Sequence, residues 1–484
     1  MRLLVIPNIG LTELRGDSSW HTAIDFCRHG VGRMFAYILL PKNCINHVPE
    51  EMLPPNVKLV FAPYNTPGFY EWEGYLDRWI HQTFSQTIGR YPVDGAYLTS
   101  SMGVAPLQRL LANRERRRAG FPVIIGDLMV FDPNGLSYGT YPSEEAFHGL
   151  RALGYAMGHS FVSSHFDAKR LARLCRKWLS PALCRRVEAQ CHPFSNGVQC
   201  AEIDRIIQGV EKNPRFTLVW SGRVNPATGS DIALNTMQMI YQAGYDTPAI
   251  VSTQTAEGTA REYLENNAEV VPPPTWDMTF STPRTEFLRR IARGHAFLHM
   301  GRAFGIGIRL KEHFYVGLIG IVPNRPYMPE LVGENYPFLY RSKEQAYSMA
   351  RYLETHWNDP DIQGRIHEIR QNILTQYDNG VVRGRQLDTV ERLVVEARGT
   401  VDQSLFGREN ANKKLVDDAL ILLGKPALVG WRDVLQAIDS LEHDYFNEHR
   451  AARMTPYEVY RALIFEGYED TLETADPLFR APEA

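Results

Sequence analysis

The chain has 484 residues, 44% hydrophobic and 22% charged, and a formal net charge of -3. This is a globular composition, too long for one ordinary core, so two or three domains are expected. The near-neutral balance excludes a chain-wide basic field for nucleic acid or an anionic membrane and leaves any such contact to a local patch. At the N-terminus, "RLLVIP" (Arg2 to Pro7) predicts a strand and "NIGLTELRGDSS" a loop. A helix over "WHTAIDFCRHG" follows, with Trp20, Ala23, Ile24 and Phe26 at helical spacing and Ser18 or Ser19 as N-cap. The opening residues carry no cleavable signal pattern, and no apolar run approaches the roughly 20 residues that span a bilayer. A soluble, cytoplasmic protein is expected.

The runs "MFAYILLP", "VKLVFAP", "GAYLTS" and "FPVIIGD" predict further strands, several of them separated by helical segments. Continuous apolar strands alternating with helices describe a parallel sheet covered on both faces. The first α/β domain extends to about residue 205. A second series opens at "FTLVWSGR" (Phe216 to Arg223) and alternates through "SDIALNTMQMIYQAG", "PAIVST", "GTAREYLENN", "AEVVPP", "RTEFLRRIARG" and "AFLHMG". The expected fold class is α/β, with two Rossmann-like, doubly wound domains over 1–205 and 206–380. They face a cleft at the C-terminal ends of their strands, where small ligands bind. Residues 381–484 read as amphipathic helices without strands, a helical appendage.

Four of the six cysteines, Cys175, Cys184, Cys191 and Cys200, are separated by nine, seven and nine residues. That spacing matches no zinc knuckle, and scattered reduced thiols are the expectation.

Three stretches carry chemistry. In "VWSGRVNPATG" a strand ends at a Gly and an Arg before a helix, and a helix N-terminus beside Arg223 suits a diphosphate or is a plain turn. In "LHMGRAFGIGIRLKEHFYVGLIGIVP" (Leu298 to Pro323), Gly301, Gly305 and Gly307 let the backbone approach a ligand, and a helix beginning near Gly307 carries Glu312 close to its first turn. Glu312 either meets a hydroxyl-bearing ligand such as ribose or is a helix-dipole partner or solvated acid. "CHPFSNGVQCAEID" (Cys191 to Asp204) is an extended run broken at Asn196-Gly197, a domain hinge.

In this order the three stretches resemble the GT-B glycosyltransferases, in particular the large retaining family that uses nucleotide-diphosphate sugars. "HPFSNGVQCAEID" is similar to that family's "I-P-N-G-V-D" hinge, and "WSGRVNPATGSDIAL" to its "G-R-L-x-x-x-K-G" loop. "FGIGIRLKEHFYVGLIGIVPNRPYMPELVGEN" is similar to "E-G-F-G-L-x-x-L-E-A-M-A-x-G-x-P-V" and the "P-E-L-V" segment after it. The resemblance covers the layout of roughly residues 1 to 380, with specific motifs only in the second domain. It implies that Arg223 neutralises the donor diphosphate and that the turn at Gly305, Gly307 and Ile308 offers its amides to phosphate. By the same resemblance Glu312 binds ribose hydroxyls and Gly317 closes the following helix. Two positions depart from the pattern: the family lysine falls at Thr228 and the first glutamate at Phe304. Arg302, Arg309 or Lys311 could replace the lost cation.

The activity implied is transfer of a sugar from a nucleotide-diphosphate sugar, the donor substrate, to a hydroxyl acceptor with retained configuration. No cofactor is implied, because arginine and helix amides can stabilise the leaving diphosphate without a metal. In such a fold the first domain holds the acceptor. Asp127, after "PVIIG", is the candidate base or acceptor-hydroxyl contact, with a cap or turn role as the alternative; His21, His159 and His165 are further alternatives. Basic residues cluster in "RLLANRERRRAG" (Arg109 to Gly120) and "KRLARLCRKW", either as solvated helix faces or as a grip on a polyanion. Some GT-B enzymes of viruses glycosylate hydroxymethylated pyrimidines, so DNA is one candidate acceptor, with the base flipped out. A glycan or small molecule, or a non-catalytic nucleotide-binding module, are the competing readings.

Overall fold

The computed structural model describes residues 1–7, 9, 14–16, 18–62, 93–99, 104, 122–126, 152, 154–194, 196–222, 224, 230–243, 247–253, 256–263, 273–300 and 306–399. Seven parallel strands form the first sheet: β1 (Arg2–Ile6), β2 (Phe35–Pro41), β3 (Val57–Ala62), β4 (Gly95–Leu98), β5 (Val123–Ile125), β6 (His159–Phe161) and β7 (Cys191–His192). Their spatial order is β3-β2-β1-β4-β5-β6-β7. In β1, Leu4 and Ile6 enter one core layer and Leu3 and Val5 the other. The period-two alternation of a strand thus explains why its whole run is apolar. Helix α1 (Ser18–His29) covers the second layer with Trp20, Ile24 and Phe26.

The second sheet has six parallel strands: β8 (Leu218–Gly222), β9 (Ala249–Thr253), β10 (Trp276–Phe280), β11 (Ala296–Leu298), β12 (Ile319–Pro323) and β13 (Leu339–Tyr340). Their order is β10-β9-β8-β11-β12-β13. The strand expected at "AEVVPP" falls largely outside the described residues, and the strand that pairs with β9 is Trp276–Phe280, in register from Trp276 opposite Ala249. It lies at the sheet edge and buries only Trp276 fully, so its sequence, "WDMTF", lacks the continuous apolar signature. In each sheet the order reverses once, between β1 and β4 and between β8 and β11, and a crevice opens outside the strand ends at such a point.

The chain crosses between the sheets twice. It leaves the first after β7, and Val198 donates its N–H to Tyr377 O at 2.8 Å while Asn379 N donates to Val198 O at 2.8 Å. The outgoing and returning segments therefore run side by side. Gly197 makes this possible, because a Cβ there would stand 2.3 Å from Asn379 Cα.

After the return, a long helix, Asn379–Gly399, lies on the first sheet, where Leu387, Val390 and Val394 join the layer formed by α1. Buried Arg383 donates to Asp25 at 2.8 Å, and Arg33 bridges to Asp388 and Glu391 at 2.6 and 2.8 Å. The remainder of the expected helical appendage, 400–484, lies outside the described residues.

Candidate functional site

The site is built on helix α2 (His165–Leu174), α3 (Cys200–Ile207), α4 (Arg284–Ala292), α5 (Ile308–Tyr315) and α6 (Met328–Val332), with the long helix as α7 (Asn379–Gly399). Of these, α5 follows β11 at the switch point of the second sheet. Gly307 is its N-cap and supplies no side-chain acceptor, and no described atom lies within 4 Å of where its Cβ would be. No side chain at the N-cap therefore competes with an anion for the first amides of α5. At the other end Gly317, with φ of 83°, takes the left-handed conformation that ends the helix, and its N–H donates to Phe314 O.

Glu312 is 4% exposed and is the central carboxylate of this helix. Arg284 Nη2 lies 2.7 Å from Glu312 Oε1, and Arg284 Nε lies 4.0 Å from Glu202. The Arg284 contact is ionic without an aligned N–H, so Glu312 Oε1 is buried with no hydrogen bond among the described residues. Arg284 is thus the ionic partner of this oxygen, and the acid is charge-paired in the fold.

Arg284 is a residue sequence reasoning missed. It occupies the first turn of α4, where the helix dipole opposes a cation, and "TPRTEF" therefore carried a usable signal for a nearby carboxylate. The loop before it is unusual in two further ways. Ser281 has φ of 49°, and Thr282 Oγ1 is buried without a hydrogen-bond partner among the described residues. Backbone strain of this kind clusters at ligand sites.

The two cations nearest Glu312 in sequence diverge. Arg309 reaches back to the end of β8, where its Nη1 would lie 3.4 Å from a Cβ on Gly222, the residue before Arg223. Lys311 turns toward the interdomain crossing and donates to Asn196 O. At 100° per residue, Arg309 shares the Glu312 side of α5 and Lys311 does not.

Behind the helix, His313 donates through Nδ1 to Arg309 O at 2.6 Å, so Nε2 accepts from Ser221 Oγ at 2.9 Å and ties α5 to β8. Burial pushes His313 down to about 3, opposed by its hydrogen bond to the Arg309 carbonyl, and pushes His299 down to about 4, with the Arg309 charge lowering it further. Burial likewise pushes His159 and His295 down to about 4. These histidines are neutral in the fold and take a proton on unfolding below about pH 6.5. Stability is therefore present above that pH and should fall progressively between pH 6.5 and about 4. Denaturant midpoints measured across this window should decrease toward acid, and a flat profile would contradict the neutral assignment.

Of the residues expected in the site, Gly307, Ile308 and Glu312 stand together on α5, with Ile308 40% exposed. Arg223, Gly305 and Asp127, with Thr228 and Phe304, lie outside the described residues. Their described neighbours are placed: Gly222 ends β8, and Gly126 follows β5 and donates its N–H to Leu98 O at 2.7 Å. The alternative histidines make local contacts: His21 to Arg15 O at 2.7 Å, and His159 stacked on His192 at 5.5 Å. His165 joins the two domains. Glu330 on α6 accepts from His165 N and Phe166 N, both at 3.0 Å, at the start of α2. All six cysteines are free, and no group of three metal-binding side chains occurs among the described residues. No described helix is long and apolar enough to cross a membrane.

No protein-family model matches the chain, and no curated protein matches it. Solved structures do. HepE from Anabaena in complex with UDP-glucose is 12% identical, with a TM-score of 0.53 over 81% of this chain and 100% of that one. Sucrose-phosphate synthase from Thermosynechococcus elongatus is 11% identical, with a TM-score of 0.59 over 82% and 100%. A glycosyltransferase from Rickettsia africae is 11% identical, with a TM-score of 0.57 over 81% and 98%. The chain therefore has the GT-B fold: two parallel α/β sheets, doubly wound, as in these three structures.

Proposed function

We propose that this protein is a glycosyltransferase that moves a sugar from a nucleotide-diphosphate sugar to a hydroxyl acceptor. The observation that carries the reading is the buried Glu312 carboxylate, paired with Arg284, on the helix that Gly307 caps without a side chain. A carboxylate there suits two ribose hydroxyls, and the amides at Gly307 and Ile308 suit the diphosphate. Arg223 and Gly305 are assigned to the same diphosphate by their place in the sequence. Arg309 is the cation assigned in place of the one missing at Thr228, because its guanidinium lies at the end of β8. The likeness to HepE, solved with UDP-glucose, supports a UDP-sugar as donor.

In the reaction the bond from the sugar C1 to the diphosphate oxygen breaks and the nucleoside diphosphate leaves with the electron pair. An acceptor hydroxyl forms the new bond to C1 and gives up its proton, with Asp127 as the assigned acceptor-side base. Fixed donors on the diphosphate stabilise the charge that develops there, and the transfer needs neither cofactor nor metal. Retention of configuration is the expected outcome. The first domain is assigned to the acceptor. Lys169, Arg173, Arg176, Lys177 and Arg185 are each exposed, which supports a polyanionic acceptor such as DNA bearing hydroxymethylated pyrimidine, while the basic cluster Arg109 to Gly120 lies outside the described residues.

A panel of nucleotide sugars read by mass spectrometry, with and without hydroxymethylpyrimidine DNA, tests the reading. One donor should release free nucleoside diphosphate slowly alone and faster with the right acceptor. No release from any donor would leave a nucleotide-binding module. Release unaffected by the DNA would reject that acceptor.

A further inference from the structure

The position before Glu312 departs from the related motif in its own way. Where "L-x-x-L-E" places an apolar leucine, this chain has Lys311, and its side chain is fully buried. Nζ donates to the main-chain carbonyl of Asn196 and stands 5.1 Å from the centroid of the Tyr377 ring. Asn196 belongs to the outgoing interdomain crossing and Tyr377 to the returning one, and the two segments pair through Val198, Tyr377 and Asn379. One buried ammonium therefore touches both crossings from the helix that carries Glu312.

Burying an ammonium costs free energy unless it is paired, and a leucine in its place would pack without that cost. The charge is accounted for by what it holds in position. We propose that Lys311 is a positioning residue: it ties α5 to both interdomain crossings and so sets how the first domain faces the Gly307–Glu312 site. The consequence for sugar transfer rests on the nucleotide-sugar reading, whereas the tie itself does not.

The tie is sensitive to protonation. Burial pushes Lys311 down to about 7, opposed by Glu312 on its own helix and by Cys200 on α3. Burial pushes Cys200 and Tyr377 up to about 12, so both stay neutral around pH 7. The Asp204 and Asp378 carboxylates stand beside Cys200. The ammonium is present below about pH 7 and is given up as pH rises through it, which removes the attraction to the Tyr377 ring. Arginine keeps its charge throughout.

The test compares the full chain as wild type, Lys311→Met and Lys311→Arg. Small-angle scattering without ligand should show a larger radius of gyration for Lys311→Met, and for wild type at pH 9 relative to pH 6. Lys311→Arg should show no such pH dependence. Superimposable profiles for wild type at both pH values, or for wild type and a folded Lys311→Met, overturn the tie. If Lys311→Met does not fold, the wild-type and Lys311→Arg pH series decides. With UDP as probe, Lys311→Met should bind within about threefold of wild type while kcat falls about tenfold or more, and Lys311→Arg should recover kcat. A joint loss of UDP binding and kcat would instead mark a purely structural role and overturn the proposal. Scattering that changes as expected, in a wild type that binds no UDP and transfers no sugar, would leave the tie standing and reject the nucleotide-sugar reading.

Discussion

Replacing Glu312 with Ala is expected to weaken binding of the nucleotide-sugar donor by about tenfold to a hundredfold. The estimate follows from removing hydrogen bonds to a charged group, about 1.5–3 kcal/mol, at about 1.4 kcal/mol per tenfold. Stability should change much less. The residue left behind, Arg284, is 44% exposed and keeps Glu202 within 4.0 Å, so solvent screens the loss. Acceptor affinity, set on the other domain, should stay as it was. Calorimetry of donor and acceptor binding to Glu312→Ala separates the two effects. An acceptor loss exceeding the donor loss would remove Glu312 from the ribose.

Gly197→Ala should be the most damaging single methyl in the interdomain region. A Cβ would stand 2.3 Å from Asn379 Cα and 2.7 Å from its Oδ1, closer than atoms pack, and the obstacle is main chain and cannot rotate away. The crossings must part, and the pairing of Val198 with Tyr377 and Asn379 goes with them. Overpacking of a core typically costs about 1–3 kcal/mol, and loss of the paired hydrogen bonds adds to it. Limited proteolysis should cut near residues 195 and 378 sooner than in wild type. Gly307→Ala is the matching control, since no described atom lies within 4 Å of its Cβ and the expected cost is under about 1 kcal/mol. Equal behaviour of the two variants would refute the close crossing.

Much of this architecture was legible because buried parallel strands are apolar on both faces, as in "RLLVI" and "IGIVP". The edge strand Trp276–Phe280 was not, since one face meets solvent and Asp277 interrupts the run. In the site, the helix start at Ile308 and its closing Gly317 were readable from glycine placement. The environment of Glu312 was not. Whether an acid is solvated or buried depends on what folds over it, here Arg284, which comes from the first turn of α4, 28 residues earlier in the chain. Lys311 shows the same limit: a lysine two residues from Arg309 looks interchangeable with it until the helix turns one to β8 and the other to the crossings. The run from 385 to 399 reads as a helix of a separate appendage, and nothing in it shows that Leu387, Val390 and Val394 pack on the first sheet.

That helix has a consequence for how the molecule is made. Arg33 and Glu391, which are joined by hydrogen bonds, are separated by 358 positions, and the second domain is threaded between them as an insertion. During synthesis the first domain, although translated earliest, lacks part of one core layer until residue 394 has emerged, while the core of the second comes from one contiguous segment. The usual completion of the N-terminal unit first therefore cannot be full here until the chain has returned to it. A fragment ending at 205 would expose the apolar groups on which Leu387, Val390, Leu393 and Val394 pack, and supplying residues 379–399 in trans or by fusion should stabilise it.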